Sequence, residues 1–253
     1  MQKPFDFETH LTLEAAFQKW EPLFAETGVE LGSAAGRLMS HFLKELKVWN
    51  RRVNLVSFHC DEELLLGHLL DSLAALQDPW LKNQPSLRFV DVGTGGGFPG
   101  LPLVLARPEW RGLLLESVRK KTAFLETLVE RLPLPTVAVL AERAEDAGRR
   151  EEHREEYDAA FCRAVGPFST VLELTLPLVR VGGAALLHRG HEAPQETSAA
   201  GEALARLGGR LGGHTVYRLP HLTQPRYIVR IEKTSATPEE YPRRNGRPAK
   251  RPL

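Results

Sequence analysis

Cysteine is nearly absent. Cys60 and Cys162 lie 102 residues apart, and neither belongs to a CxxC pair or a Cys/His cluster, which argues against a structural metal and against a disulfide framework. The nine histidines are scattered, and His188 with His191 forms an HxxH that has no third ligand nearby, so no metal site is expected. Long apolar runs are missing as well. No segment reaches the roughly 18 consecutive apolar residues of a membrane helix, and residues 1–6 lead into no signal-peptide core, so a cytoplasmic protein with no membrane partner is expected. None of the four tyrosines has a lysine four residues on, which removes the dehydrogenase arrangement of those two side chains. Lysine is scarce: nine of the 33 cations, leaving 24 arginines, whose planar fork suits phosphate and stacked bases and which a GC-rich genome also favours. The net charge of +1 hides an uneven distribution, because residues 243–253 carry five cations and no acid.

What is present is concentrated in residues 87–100. A short apolar run ends at Val92, and Gly93, Gly95, Gly96 and Gly97 follow within five residues. Glycine admits backbone to a ligand with no Cβ in the way, and residues 101–106 read as a helix whose N-terminus points at the same spot. Gly93-x-Gly95-x-Gly97, with Asp91 two residues earlier, resembles motif I of class I S-adenosylmethionine (SAM) methyltransferases. Gly95-x-Gly97-x-x-Gly100 also fits a dinucleotide fingerprint, but that register puts Pro99 inside the turn. A second strand over 111–115 ends at Glu116, where a carboxylate accepts both ribose hydroxyls of an adenosine; the alternative is an ordinary acid at a helix N-terminus.

From the N-terminus, Leu13, Ala16, Phe17, Trp20, Leu23 and Phe24 recur at helical spacing and predict a helix over 11–27. Leu38, Phe42, Leu46 and Trp49 predict another over 31–49, with Gly28 as the intervening C-cap. A third is expected over 61–76, capped at Asp61 or nearby, with Leu65, Leu69, Leu73 and Leu76 inward. His68, Asp71 and Ser72 fall within one turn of it, either as a polar cluster aimed at the neighbouring domain or as a solvated face. Beyond Pro79 and Pro85, strands are expected at 88–92, 112–115, 136–140, 157–162, 184–188, 215–219 and 227–231, with helices in most of the gaps. The last two are joined by too short a connection for a crossover and should pair antiparallel at the sheet edge. The expected fold is α/β: a Rossmann-like doubly wound sheet of the class I SAM-dependent methyltransferase type, last strand antiparallel. Three parts are expected: a helical cap over 1–84, a SAM-binding domain over 85–235 and a basic tail over 236–253.

In such a sheet the ligand lies beyond the carboxyl ends of the strands. That nominates residues 93–98, then Glu116, Ser117 and Val118, then Glu142, Arg143, Ala144 and Glu145, and finally Cys162 and Arg163. Cys162 lacks the preceding proline of enzymes that attack pyrimidine C6, and reads as core filling. The Asp/Asn-Pro-Pro-aromatic signature of exocyclic-amine methylation is absent.

Trp49-Asn50, residues 54–57 and 68–73, the whole of 91–100, residues 116–121, 143–145 and 163–165, and the closing residues 241–253 together resemble the RsmG family, formerly GidB. These are bacterial methyltransferases that modify guanine N7 in small-subunit (16S) ribosomal RNA. Phe98-Pro99-Gly100 and Tyr241-Pro242-Arg243-Arg244 are the most specific elements, while Cys162 stands where the family usually has serine. Together with the strand ends, the resemblance implies SAM held by Gly93, Gly95, Gly97, Phe98, Glu116, Ser117, Val118, Ala144, Glu145 and Arg163. It implies 16S ribosomal RNA or the small ribosomal subunit as partner, with Arg243, Arg244, Arg247, Lys250 and Arg251 forming an extended, proline-stiffened strap along its phosphates. Guanine N7 carries an in-plane lone pair and no proton, so its methylation needs no general base. Approach geometry, worth roughly 7–11 kcal/mol in intramolecular reactions, suffices; no residue is an obligate catalyst, and Arg163 is the candidate for positioning the methionine end of SAM or the base. Two other readings stand beside this one. A small-molecule SAM methyltransferase is opposed by the basic tail, and a non-catalytic RNA-binding assembly protein by the intact glycines and Glu116. A monomer is expected.

Overall fold

The computed structural model describes residues 7, 8 and 10–253. The first six residues of the expected cap, and Thr9, lie outside the described residues. Seven strands form one sheet in the order β3-β2-β1-β4-β5-β7-β6. They are β1 Arg88–Val92, β2 Arg111–Leu115, β3 Val137–Leu140, β4 Tyr157–Arg163, β5 Val179–Arg189, β6 Gly209–Tyr217 and β7 Arg226–Lys233. The first five are parallel, and β7 runs antiparallel to both β5 and β6. This is the architecture expected from the sequence. Strand β6 starts earlier than its hydrophobic pattern indicates, because Gly212 and Gly213 interrupt the alternation and the register slips there. The strand order reverses between β1 and β4, which sets the ligand crevice beyond their carboxyl ends.

Alternation along the strands separates two cores. Phe89, Leu114, Phe161, Leu186 and Ile228 face one side, Val90, Val92, Leu115, Cys162, Leu187 and Val229 the other. The first side is covered by the N-terminal helices Leu13–Glu26 and Ala34–Asn50 together with Gly100–Ala106 and Arg119–Arg131. Residues before 85 therefore have no core of their own: Phe24, Phe42 and Leu46 belong to the same buried cluster as Phe89, Phe98 and Phe124. The second side is covered by Phe168–Thr175, Gly201–Leu207 and, from the C-terminal segment, Tyr241.

Thr12 and Ser33 cap the first two helices through their hydroxyls, and Gly28 follows the first in the left-handed conformation at φ +76°, as its predicted capping role requires. The third departs from expectation. Cys60 occupies its N-cap with no side-chain acceptor, while Asp61 sits in the first turn and pairs with Lys47 at 2.5 Å. Asp61–Leu64 then widens into a π-helical stretch, Leu65–Leu70, before Asp71–Leu73 and a 3-10 turn at Ala74–Gln77. A hydrophobic repeat does not distinguish a π turn from an α turn, since every leucine remains buried in either.

The tail differs most. The extended strap expected of residues 243–253 is instead a docked segment with a helical turn, Arg247–Lys250, that carries Pro248 in its first turn, where proline is tolerated. Arg243 donates from its backbone N–H and its guanidinium to Glu173, a carboxylate with no exposed surface. The Thr170 hydroxyl donates to the Pro248 carbonyl at 2.9 Å, and Arg154 donates to the carbonyls of Thr237 and Tyr241 at 2.6 and 2.8 Å.

Candidate active site

A cleft of about 240 Å³ opens beyond the ends of β1 to β4. Val92 and Gly93 form one wall, Leu115, Glu116 and Ser117 the next, Glu142 to Glu145 the third, and Val165, Gly166 and Pro167 the fourth. Thr170 and Leu174 from the following helix and Gly246 and Ala249 from the tail complete it. Gly93 adopts φ +70°, and a Cβ there would stand 2.8 Å from Val165 Cγ2, so glycine alone lets this wall close. Ala164 at the end of β4 also takes a left-handed φ of 58°, a strained conformation for alanine at the point where the chain turns Val165 into the cleft.

Glu116 is buried and accepts the Gly95 N–H at 3.0 Å through Oε2 and the Val118 N–H at 2.8 Å through Oε1. Each carboxylate oxygen has a second lone pair, so two acceptor positions are left for a diol. Across the cleft, Glu145 takes the Gly246 N–H at 2.8 Å, and neighbouring Asp146 takes the Asn245 amide at 2.7 Å. The tail is thereby fixed by the same short helix, Ala144–Ala147, that forms the third wall.

Of the residues nominated for SAM, Gly93, Glu116, Ser117, Ala144 and Glu145 line the cleft. Gly95 and Val118 stand behind Glu116 as its backbone donors. Gly97 and Phe98 are not among the residues that line the cleft. A Cβ on Gly97, at φ +94°, would meet Leu101 Cδ1 at 2.3 Å, so packing within the turn already requires glycine there. Phe98 is buried against Phe42 and His68, with ring centroids 5.1 and 5.4 Å away. The N-terminus of Gly100–Ala106 does not face the cleft either: Asp91 Oδ2 accepts the Gly100 N–H at 2.7 Å and the Thr94 hydroxyl at 2.6 Å. Burial raises the Asp91 carboxyl to about 6. Cys162 is buried among apolar side chains, and that burial pushes its thiol well up, the opposite of what a nucleophile requires.

Arg163 is likewise absent from the cleft lining. Alternation along β4 turns it, with Phe161, toward the N-terminal helices. There it donates to the Gly67 carbonyl at 3.2 Å, to Asp71 Oδ2 at 3.1 Å and to His68 Nδ1 at 2.9 Å, and lies 5.1 Å over the Phe98 ring. His68 donates from Nε2 to the Ser57 carbonyl at 2.9 Å, which leaves Nδ1 as the acceptor Arg163 needs. Asp71 also accepts the Tyr217 hydroxyl at 2.5 Å and pairs with Arg226 at 2.8 Å, while its carbonyl accepts from His188 Nε2 at 3.1 Å. Burial favours protonation of Asp71, but Arg226 and Arg163 outweigh it and hold the carboxyl below the usual range. Burial, with Arg163 beside it, lowers His68 to about 4, and burial lowers His188 to about 4. The His68, Asp71 and Ser72 turn is thus a polar hub joining the cap to β4, β6 and β7.

The sheet order, the glycine turn after β1 and the acid after β2 define a class I SAM-dependent methyltransferase. Two solved structures share the fold: the branched-chain polyamine synthase of Thermus thermophilus in complex with N4-aminopropylspermidine and 5'-methylthioadenosine (TM-score 0.56, 16% identity, 80% of this chain and 65% of that one), and the 16S rRNA (adenine(1408)-N(1))-methyltransferase W203A mutant of Catenulisporales acidiphilia (TM-score 0.51, 14% identity, 65% and 90%). The family described as rRNA small subunit methyltransferase G matches residues 36–215. A curated relative, ribosomal RNA small subunit methyltransferase G of Roseiflexus castenholzii, is 42% identical over 226 residues, covering 89% of this chain and 95% of its own. The chain belongs to the rRNA small subunit methyltransferase G family, and its cofactor is SAM.

Proposed function

We propose that this chain transfers the SAM methyl group to N7 of one guanine in 16S ribosomal RNA. The cofactor cleft itself carries the proposal: Gly93 gives the adenosyl group backbone access, Glu116 accepts the ribose hydroxyls, and Ala144 and Glu145 border the adenine. Around that cleft the surface is cationic. Arg143 is exposed on its wall, and Arg244, Arg247, Lys250 and Arg251 are exposed on the tail; among the described residues, none of these lies within ion-pair distance of a carboxylate. They are suited to RNA phosphates. Arg243, whose guanidinium is taken by Glu173, drops out of that set. N7 attacks the sulfonium methyl with its own lone pair and the positive charge passes to the purine, so the carboxylates of the cleft serve binding rather than proton transfer. Among the described residues no helix is long and apolar enough to cross a membrane, in keeping with an RNA substrate met in the cytoplasm.

Incubation with methyl-labelled SAM and small-subunit RNA, followed by borohydride and aniline cleavage, tests this. A single cleavage at one 16S guanine is the expected outcome. Label at another atom, or transfer to small molecules and none to RNA, would overturn the proposal.

A further inference from the structure

Outside the cofactor cleft, a second cavity of about 290 Å³ lies at the end of the helix Ala34–Asn50 and is lined by Val48, Trp49, Arg51, Arg52 and Val53. Its composition is unusual for a surface: Val48 is 58% exposed, and two consecutive exposed guanidiniums stand beside it. Among the described residues neither Arg51 nor Arg52 reaches a carboxylate at ion-pair distance, and the same holds for Arg119, Lys120 and Lys121 on the first turn of Arg119–Arg131. That helix packs on the cavity wall, with Phe124 5.7 Å from the Trp49 ring. The patch therefore combines an apolar floor with clustered unneutralised cations.

Its position is fixed relative to the cofactor turn. Asn50 braces the loop that follows it, accepting the N–H groups of Leu55 and Val56 at 2.8 and 3.1 Å and donating to the Val56 carbonyl at 2.9 Å. Leu55 and Val56 in turn lie on the glycine turn, where a Cβ on Gly96 would meet Val56 Cγ1 at 3.1 Å. One loop, braced by Asn50, thus has the cavity at its start and the glycine turn after β1 against its end.

We infer that this cavity holds an unpaired nucleotide of the RNA substrate, next in the strand to the guanine that is methylated. The inference rests on the RNA methyltransferase reading above. A cavity near the lower limit of ligand pockets, about 300 Å³, suits one planar ring system. An apolar floor with guanidiniums at its rim matches a base stacked on Trp49 and Val53 with its phosphate on Arg51 or Arg52. Holding the neighbouring nucleotide would keep the target guanine splayed from its stack, which a methyl donor at N7 requires of a structured RNA.

The test uses the full chain and a 16S fragment carrying 5-iodouridine beside the modified guanine, with the Arg51→Ala/Arg52→Ala double variant in parallel. Photocrosslinks should map to residues 48–53. The double variant should raise KM for RNA at least tenfold and flatten the log-log salt dependence of RNA binding by about 0.7 per lost contact, while SAM affinity and melting temperature stay as in the wild type. Crosslinks confined to other segments, or an unchanged KM and salt slope in a variant that still methylates, would overturn the inference while leaving the methyltransferase reading intact. Saturation of the cavity by free nucleoside monophosphate, seen by Trp49 fluorescence and not competed by the RNA, would also overturn it. Absence of any transfer to RNA by the wild type would remove the reading and the inference together.

Discussion

The N-terminal helices meet the sheet through a continuous apolar core that includes Phe24, Phe42, Leu46, Phe98 and Phe124, with one polar hub at Asp71. The C-terminal tail meets it chiefly through polar contacts: Arg243 on buried Glu173, Gly246 on Glu145, Asn245 on Asp146 and Pro248 on Thr170, with Tyr241 as its main apolar anchor. Apolar burial is non-directional and spreads over many side chains, so loss of any one contact is shared. Charge-assisted hydrogen bonds are directional and few, so each fixes a position and each removal is felt there. The cap is consequently inseparable from folding, whereas the tail completes one side of the cleft beyond the strand ends, through Gly246 and Ala249.

The largest effect is expected where the cap depends on charge. Asp71→Ala leaves Arg163 and the partly buried Arg226 without the carboxylate they share, and should cost about 3–5 kcal/mol in urea unfolding, two cations being stranded at once. A loss below about 1 kcal/mol would show that apolar packing alone fastens the cap. Arg243→Ala leaves Glu173 without its cation; because Arg243 is partly exposed, about 3 kcal/mol is expected, at the lower end of the same range. Arg244→Ala, four-square in solvent, should leave stability unchanged and lower only RNA affinity, and equal destabilisation by the two would erase the distinction between docked and free tail cations.

Within the cleft, Glu116→Ala should weaken SAM binding by on the order of 1.5–3 kcal/mol per lost charged hydrogen bond. Gly97→Val should instead act on stability, since the new side chain meets Leu101 and the backbone holds a left-handed φ. Calorimetry and thermal melting on the pair separate these outcomes; a purely cofactor-directed defect at Gly97 would return that glycine to the binding site.

The smallest effect is one of pH, and it falls on the hub. His68 and His188 are lowered from 6.5 to about 4 in the folded chain, so between those values the unfolded chain binds more protons and stability falls as pH drops. Asp91, raised from 3.8 to about 6, has the opposite sign over much of the same interval: it is protonated when folded and ionised when unfolded. The histidines outnumber the aspartate, and His153 and His221, also lowered by burial, add to them, so the net sign between roughly pH 6 and 4.5 is a loss of stability as pH falls. Melting temperature should decline across that window, and His188→Gln should shrink the decline. A flat profile in the wild type would contradict the neutral hub.

What the sequence made legible was local. The run into Gly93, the turn, and Glu116 at the end of the next strand are each readable because the turn directly follows its own strand and the acid directly ends the next. Alternation in β4 also bears on Arg163: Phe161 and Arg163 share a face, so Arg163 turns toward the cap because Phe161 is core on that side. The tail was opaque for a physical reason. Its proline and arginine composition is the same whether the cations meet phosphate or a buried carboxylate, and Glu173 lies 70 residues away inside an otherwise apolar helix pattern. Glu173, a charge in a run of leucine and threonine, was the signal that a distant cation had to come to it.

If the tail is part of the cofactor site, truncating the chain before Arg243 must weaken SAM binding. Isothermal calorimetry on truncated and full-length protein, with the fold of both checked by circular dichroism, should give a Kd at least tenfold weaker for the truncated chain, a difference of about 1.4 kcal/mol. Equal SAM affinity in two folded proteins would contradict the claim and leave the tail as an RNA-facing appendage.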